Sequence, residues 1–253
     1  NRPGHFDGPF DIAVSEKTGT IAVADSDNKR IQLFSSDGNY LREIEMNSEC
    51  LSVAFTKSGD IIAVVPEDDD MISLFTESGL FIKYINDEHL ELPAHVSVGF
   101  DGRIIACDWE SNEIRVISPD GMQLLQSFRA SDCDQSLFCV VYHEDRFFVS
   151  DAEANTIKVF SEEGKFLYNI GSQGSGDGQV NGPVGLAIDK FNNLIVCEVG
   201  NSRLQIFRLD GTFVTKIEEH FYKDDTAPKY VAVSNDGHVF VADTSKHCVY
   251  VFQ

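Results

Sequence analysis

The sequence predicts an all-β protein: a six-bladed β-propeller of four-stranded antiparallel blades. Three observations lead there. The composition favours strands and turns, one unit recurs about every 40 to 47 residues, and each unit carries four strand signals.

The 253 residues are 42% hydrophobic, enough to bury a full core, with 19 Phe and 19 Gly against 3 Met and 1 Trp. Aromatic and β-branched residues suit a pleated, half-buried surface, and Asp-Gly pairs suit turns. No apolar run approaches the ~20 residues that cross a bilayer as a helix, so no membrane partner is expected.

The first unit shows every part of the pattern. Pro9 to Val14 reads as a short apolar strand, Gly19 marks a turn, and Ile21 to Asp25 ends in a small residue followed by an acid. Six residues after that acid, Ile31 opens a third strand. Asp37-Gly38 then turns the chain into a fourth, Tyr40 to Ile44. The acid recurs as Asp108, Asp151, Glu198 and Asp243. The aliphatic six residues later recurs as Ile114, Ile157, Leu204 and Val249. The turn before the fourth strand returns as Ser78-Gly79, Asp120-Gly121, Glu163-Gly164 and Asp210-Gly211.

These signals divide one domain, residues 1–253, into blades at approximately 9–45, 50–86, 93–129, 136–171, 182–218 and 228–253. Four short strands cannot bury both of their faces alone. Radial stacking solves this, whereas a solenoid would need polar capping units that are missing from both ends. Two blades depart from the pattern. Blade 2 has Val65 in place of the acid, followed by Pro66-Glu-Asp-Asp-Asp70, which predicts a weak loop there, and blade 4 opens on Ser136-Leu-Phe-Cys-Val. Asn1 to Pro9 aligns with the tail of the linker that ends at Pro183, and blade 6 has three strand signals. The closing strand is therefore expected from upstream of residue 1.

Ala24-Asp25-Ser-Asp-Asn28-Lys-Arg30-Ile31-Gln-Leu-Phe34, Glu198-Val-Gly-Asn201-Ser-Arg203-Leu204-Gln-Ile-Phe207 and the linker Gly174 to Gly185 resemble the NHL repeat. The resemblance extends over all six units. It implies a six-bladed propeller similar to the C-terminal domain of TRIM-NHL ubiquitin ligases and their relatives, which recruits substrate proteins or binds RNA.

Formal charge is −21, from 41 acids against 20 bases. Nucleic-acid affinity rests on neutralising phosphates, so this balance favours a protein or peptide partner, and a basic one. The six cysteines are too sparse for a disulfide framework. Cys107 and Cys197 share a repeat position filled elsewhere by Ala24, Val64, Ser150 and Ala242, which reads as a small buried slot holding a reduced thiol in a cytoplasmic protein. No Cys-x-x-Cys pair exists and the seven histidines fall at non-equivalent positions, so neither metal nor cofactor is expected.

In a blade whose strands run outward from the axis, the interblade linkers and the loops between second and third strands share one face. That linker face carries the sequence variation and is the expected binding face. Around the axis the aligned pairs are Phe10/Asp11, Leu51/Ser52, Ala94/His95, Leu137/Phe138, Val184/Gly185 and Lys229/Tyr230. Phe10, Leu51, Ala94, Leu137 and Val184 read as an apolar mouth in which no nucleophile, base and orienting group converge, so catalysis is not expected. Candidate contacts in blades 3 and 4 are His95, Trp109 and Phe138. Blades 6 and 1 add Phe10, Lys29, Phe221, Tyr222, Lys223, Lys229, Tyr230, Lys246 and His247. That second group mixes bases with aromatics, a combination that also suits RNA. RNA is thus the alternative partner. The repeated acids Asp25, Asp108, Asp151, Glu198 and Asp243 are expected to be structural, capping their loops and meeting Arg30 or Arg203.

Overall fold

A computed structural model describes residues 2–66, 71–85, 90, 92–130, 137–217 and 227–253, with the side chain of Met71 excepted. The chain forms six antiparallel sheets, each built in sequence order from one blade. Blade 1 holds β1 (Pro9–Val14), β2 (Ile21–Asp25), β3 (Arg30–Phe34) and β4 (Tyr40–Glu45). Blade 2 holds β5 (Ser52–Phe55), β6 (Ile61–Val65), β7 (Met71–Phe75) and β8 (Phe81–Ile85). Blade 3 holds β9 (Pro93–Val98), β10 (Ile104–Asp108), β11 (Glu113–Ile117) and β12 (Leu124–Arg129). Blade 4 holds β13 (Leu137–His143), β14 (Arg146–Asp151), β15 (Thr156–Ser161) and β16 (Phe166–Ile170). Blade 5 holds β17 (Pro183–Ile188), β18 (Asn193–Glu198), β19 (Arg203–Arg208) and β20 (Phe213–Ile217). The sixth sheet comprises β21 (Pro228–Val233), β22 (Val239–Asp243) and β23 (Cys248–Phe252).

Burial is lowest in the outermost strand of each four-stranded blade. All five residues of β2 and of β10 are buried, whereas β8 and β16 are largely exposed. The core therefore lies between blades, where one sheet's aliphatics face the next. Ala22, Ala24, Ile31 and Leu33 of blade 1 pack against Val53, Ile61 and Ala63 of blade 2. Ile12, Ile21 and Val23 pack against Phe240 and Ala242 and so join blade 1 to blade 6. Each fully buried Ile, Leu or Phe contributes about 1.5–3 kcal/mol to such a seam.

The glycine before the outer strand of blades 3 and 4 has a packing reason as well as a turn reason. Gly121 (φ 68°) and Gly164 (φ 74°) take the left-handed conformation, and a Cβ there would lie 2.8 Å from Ile85 and 2.5 Å from Phe128 of the preceding blade. The turn of one blade thus seats on the outer strand of its neighbour.

Innermost strands begin with an irregularity that determines the linker face. Pro9 pairs with Asp25 but Asp11 pairs with Ala24, so Phe10 is an extra residue. The same slip occurs at Phe138 and Lys229. A bulge of this kind re-aims a side chain, here toward the linker end of the axis.

Cys50, Cys107, Cys139 and Cys197 are free and buried, and burial pushes each thiol above its ordinary range. Cys248 is partly exposed, and Cys133 lies outside the described residues. With the thiolate as the reacting form, a thiol reagent should label Cys248 in the native protein and the four buried thiols only on unfolding. Labelling of Cys107 at a native rate would show that its slot is open.

Candidate functional site

The five repeated acids are buried at the ends of the second strands, each at 0% exposure. Asp25 accepts hydrogen bonds from Asn28 Nδ2 (3.0 Å), Arg30 Nε (2.7 Å) and Gln32 Nε2 (2.9 Å). Glu198 repeats the arrangement with Asn201, Arg203 Nε (3.0 Å) and Gln205. Asp151 takes Lys158 as its ion-pair partner at 2.7 Å and caps its own loop at Ala154 N (2.9 Å). The acids also reach back to the incoming linker. Asp25 accepts from Asp7 N, Asp108 from Leu92 N, Glu198 from Asn181 N and Asp243 from Ala227 N. Asp25, Asp108, Glu198 and Asp243 therefore each fix a loop and a linker on the same face.

At the axis, the linker face closes on a layer of rings. Tyr230 stacks on His95 at 5.3 Å and lies 5.7 Å from Phe10, while its hydroxyl donates to the Phe138 carbonyl at 2.8 Å. Trp109 leans on Phe138 at 6.3 Å, and Lys229 Nζ sits 4.0 Å above the Phe10 ring in a cation–π contact. Side chains from blades 1, 3, 4 and 6 meet in this one cluster.

Two expectations are corrected here. His95 (6% exposed) and Tyr230 (2%) are too buried to serve as a surface ligand and a stacking platform, because the strand bulge turns Lys229 outward and Tyr230 inward. Likewise Phe10, Leu51, Ala94, Leu137 and Val184 do not make up the axial ring by themselves. One residue deeper, Asp11, Ser52, His95, Cys139 and Tyr230 converge. Blade 4 is in register one residue later than the sequence alignment places it, with Leu137 opposite Asp151 as Pro9 is opposite Asp25.

The remaining candidates lie elsewhere. Lys29 and Lys246 are exposed at loop tips. His247 is exposed, with Nδ1 accepting from Gly8 N at 2.9 Å and lying 3.1 Å from Asp7. Phe221, Tyr222 and Lys223 lie outside the described residues, as do Glu67 to Asp70. Burial lowers the pKa of Lys229, and the nearby Asp27 charge opposes that shift.

The deeper ring stitches consecutive blades together. Asp11 Oδ2 accepts from Val53 N (2.9 Å) and Ser52 Oγ (2.6 Å), and Ser52 Oγ accepts from Val96 N (3.1 Å). His95 Nδ1 accepts from Val140 N at 3.5 Å, which leaves the imidazole proton on Nε2, facing Cys139 Sγ at 3.5 Å. Cys139 Sγ in turn points at the Leu186 carbonyl, 3.9 Å away. At the fifth place stands Gly185, where a Cβ would lie 2.4 Å from the Lys229 carbonyl oxygen. Asp11, Ser52, His95, Gly185 and Tyr230 stand in the aligned axial pairs of the sequence, whereas Cys139 does not, because the sequence alignment places its blade one residue early.

Burial holds His95 neutral, with its pKa lowered to about 3. Burial also raises Asp11 to about 7, against the opposing hydrogen bonds from Ser52, Val53 and Ile12. In the unfolded chain the same carboxyl titrates near ~4, so between about pH 4 and about pH 7 the folded state holds a proton that the unfolded state has released. Asp11 therefore stabilises the fold least above pH 7. Removing this titration in Asp11→Asn should shift the stability difference in favour of the variant between about pH 5 and about pH 8. Parallel urea-midpoint profiles for the two proteins would refute the assignment.

The architecture defines a class, the six-bladed β-propellers, and the loop acid of the first blade lies in a segment similar to the NHL repeat. A family described as 6-bladed beta-propeller matches residues 132–246, and the NHL repeat matches residues 6–34. "Protein brain tumor" of Drosophila melanogaster is 29% identical over 136 residues, 51% of this chain and 13% of that protein. Human "E3 ubiquitin-protein ligase TRIM32" is 23% identical over 99% of this chain and 42% of its own length. The chain thus spans less than half the length of these relatives. A Bacteroides thetaiotaomicron protein of unknown function shares the fold at a TM-score of 0.79 and 14% identity, over 98% of this chain and 69% of that one.

Proposed function

We propose that this propeller is a non-catalytic binding platform that receives a protein or peptide on its linker face, as the substrate-recognition part of a TRIM-NHL-type ubiquitin ligase in the cytoplasm. The observation that carries this reading is the charge distribution around the aromatic cluster. Lys229 lies beside Asp27 and His247 beside Asp7, while Asp27, Glu110 and Glu153 are exposed on the same face. Such a rim repels phosphates and suits a partner that offers basic side chains around an apolar anchor. Trp109 and Phe138, both half-buried, are the anchor's contacts. The relatives support an interaction role in general terms.

RNA is the second reading, favoured by one observation: Lys29 and Lys246 are exposed near the seam of blades 6 and 1. Tyr230 is buried and offers no stacking face, and Phe221, the other stacking candidate, lies outside the described residues.

Selection of random peptides and random short RNAs on the immobilised propeller, at ~150 mM salt, tests both readings. Peptides combining Lys or Arg with an aromatic should be enriched, and Trp109→Ala/Glu110→Lys should release them. Submicromolar RNA binding that is lost in Lys29→Glu/Lys246→Glu would replace the protein reading by the RNA one.

A further inference from the structure

A cavity of about 240 Å³ runs along the propeller axis. Its lining extends from Glu16, Lys17 and Lys57, in the turns opposite the linker face, to Asp11 and His95. Phe10, Phe138 and Tyr230 do not belong to the lining, so the aromatic layer lies beyond its deep end. The cavity exists because one layer of the innermost strands is made of small side chains. Ala13, Ala54, Ser97, Ala187 and Ala232 occupy five of its six places, and Val141 takes the sixth.

Three features give this space a chemical preference. Alanine, valine and isoleucine side chains line part of its wall, beside polar groups at both ends. At its deep end lies a buried carboxyl, Asp11, for which no ion-pair partner exists among the described residues. A carboxylate removed from water without a counter-ion either keeps its proton or recruits a cation. Finally, the Ser97 hydroxyl in the wall is buried with no hydrogen-bond partner among the described residues.

We propose that the axial cavity binds a small organic ammonium ion, with its aliphatic body against the alanine and valine walls and its charge received at Asp11. Oδ1 accepts one hydrogen bond, from Ile12 N, and keeps a lone pair for an N–H donor. Ser97 Oγ is a second acceptor. The titratable groups around Asp11 are Cys50, His95, Cys139, Cys197 and Tyr230. Burial disfavours the charged form of each, so none of them competes for the cation or repels it. At the mouth, Lys57 is paired with Glu16 at 2.5 Å and Lys17 donates to the Ser58 carbonyl at 2.6 Å. The net charge of −21 concentrates cations at the surface. A void of ~150 Å³ holds a benzene-sized molecule, so an amine of about six carbons fits the larger space here.

The test titrates n-hexylammonium, n-hexanol and hexanoate into the whole chain, followed by ligand-observed NMR. Hexylammonium should bind, and hexanoate should not. Because Asp11 must be ionised to receive the cation, amine affinity should fall about tenfold from about pH 8 to about pH 6 while hexanol binding stays level. Asp11→Asn should remove the preference for amine over alcohol, and Ala187→Leu, which fills the void, should weaken both. Should Asp11→Asn fail to fold, the pH series on the unaltered protein decides. Equal affinity for hexanol and hexylammonium, a flat pH profile, binding that survives Ala187→Leu, or no binding at ~10 mM would each overturn the proposal. The cavity opens at the end of the axis opposite the linker face, and the test reads small-molecule binding alone, so its failure is distinguishable from that of the partner-binding reading.

Discussion

Asp25→Ala should cost about 3–5 kcal/mol of unfolding free energy, the range measured when one partner of a buried ion pair is removed. The reason is the number of groups that converge on one carboxylate. Arg30 Nε, Gln32 Nε2, Asn28 Nδ2 and Asp7 N all donate to it, and both Asp25 and Arg30 are buried. Truncation leaves the guanidinium inside the blade with Glu43 and the carbonyls of Arg2 and His5 as its remaining contacts. It also releases the linker at Asp7. Urea denaturation should show a lower midpoint with an unchanged slope, and Asp25→Asn should recover part of the loss. If instead the midpoint stayed put while partner binding vanished, Asp25 would belong to the binding site.

Gly185→Ala should rank second, with a cost of about 3 kcal/mol, at the upper end of the range for overpacked cores. Here the obstacle is backbone. The added methyl would lie 2.4 Å from the Lys229 carbonyl oxygen and 2.6 Å from Tyr230 Cα, neither of which can rotate away. Strand β17 and strand β21 must move apart, and Tyr230 carries the aromatic layer with it. The melting temperature should fall by roughly 6–12 °C for a chain of this size. Gly38→Ala is the comparison. Gly38 has φ 82° and open space around its missing Cβ, so that substitution meets strain without a clash. A Gly185→Ala midpoint no lower than that of Gly38→Ala would show that blades 5 and 6 are not closely apposed.

The blades were legible because a repeat supplies its own alignment. An acid followed by an aliphatic six residues later marks one edge of the loop in every blade but the second, and Asp25 and Glu198 carry the same Asn, Arg and Gln partners. The seating of Gly121 on Ile85 was not legible, since it joins residues of two blades that no single unit displays. The axial ring failed for a related reason. Its members are a carboxyl, a hydroxyl, an imidazole, a thiol and a phenol, and composition alone shows no motif in them. They become one feature when register is counted from the loop acids, which moves blade 4 by a residue, while the bulge at Lys229 turns Tyr230 away from solvent.

The relay of axial hydrogen bonds has a consequence for how the molecule comes apart. In an open array of repeats, an end unit can fray while the others persist, because each unit touches only its neighbours. In this chain, detaching blade 2 breaks the bond that Val53 donates to Asp11 on one side and the bond that Ser52 accepts from Val96 on the other. It also exposes the aliphatic seams on both flanks. Partial opening loses two junctions at once and relieves the ordering of one blade. Hydrogen exchange at the second strands β2, β6, β10, β14 and β18 should therefore report a single opening energy, shared around the circle and equal to that of global unfolding.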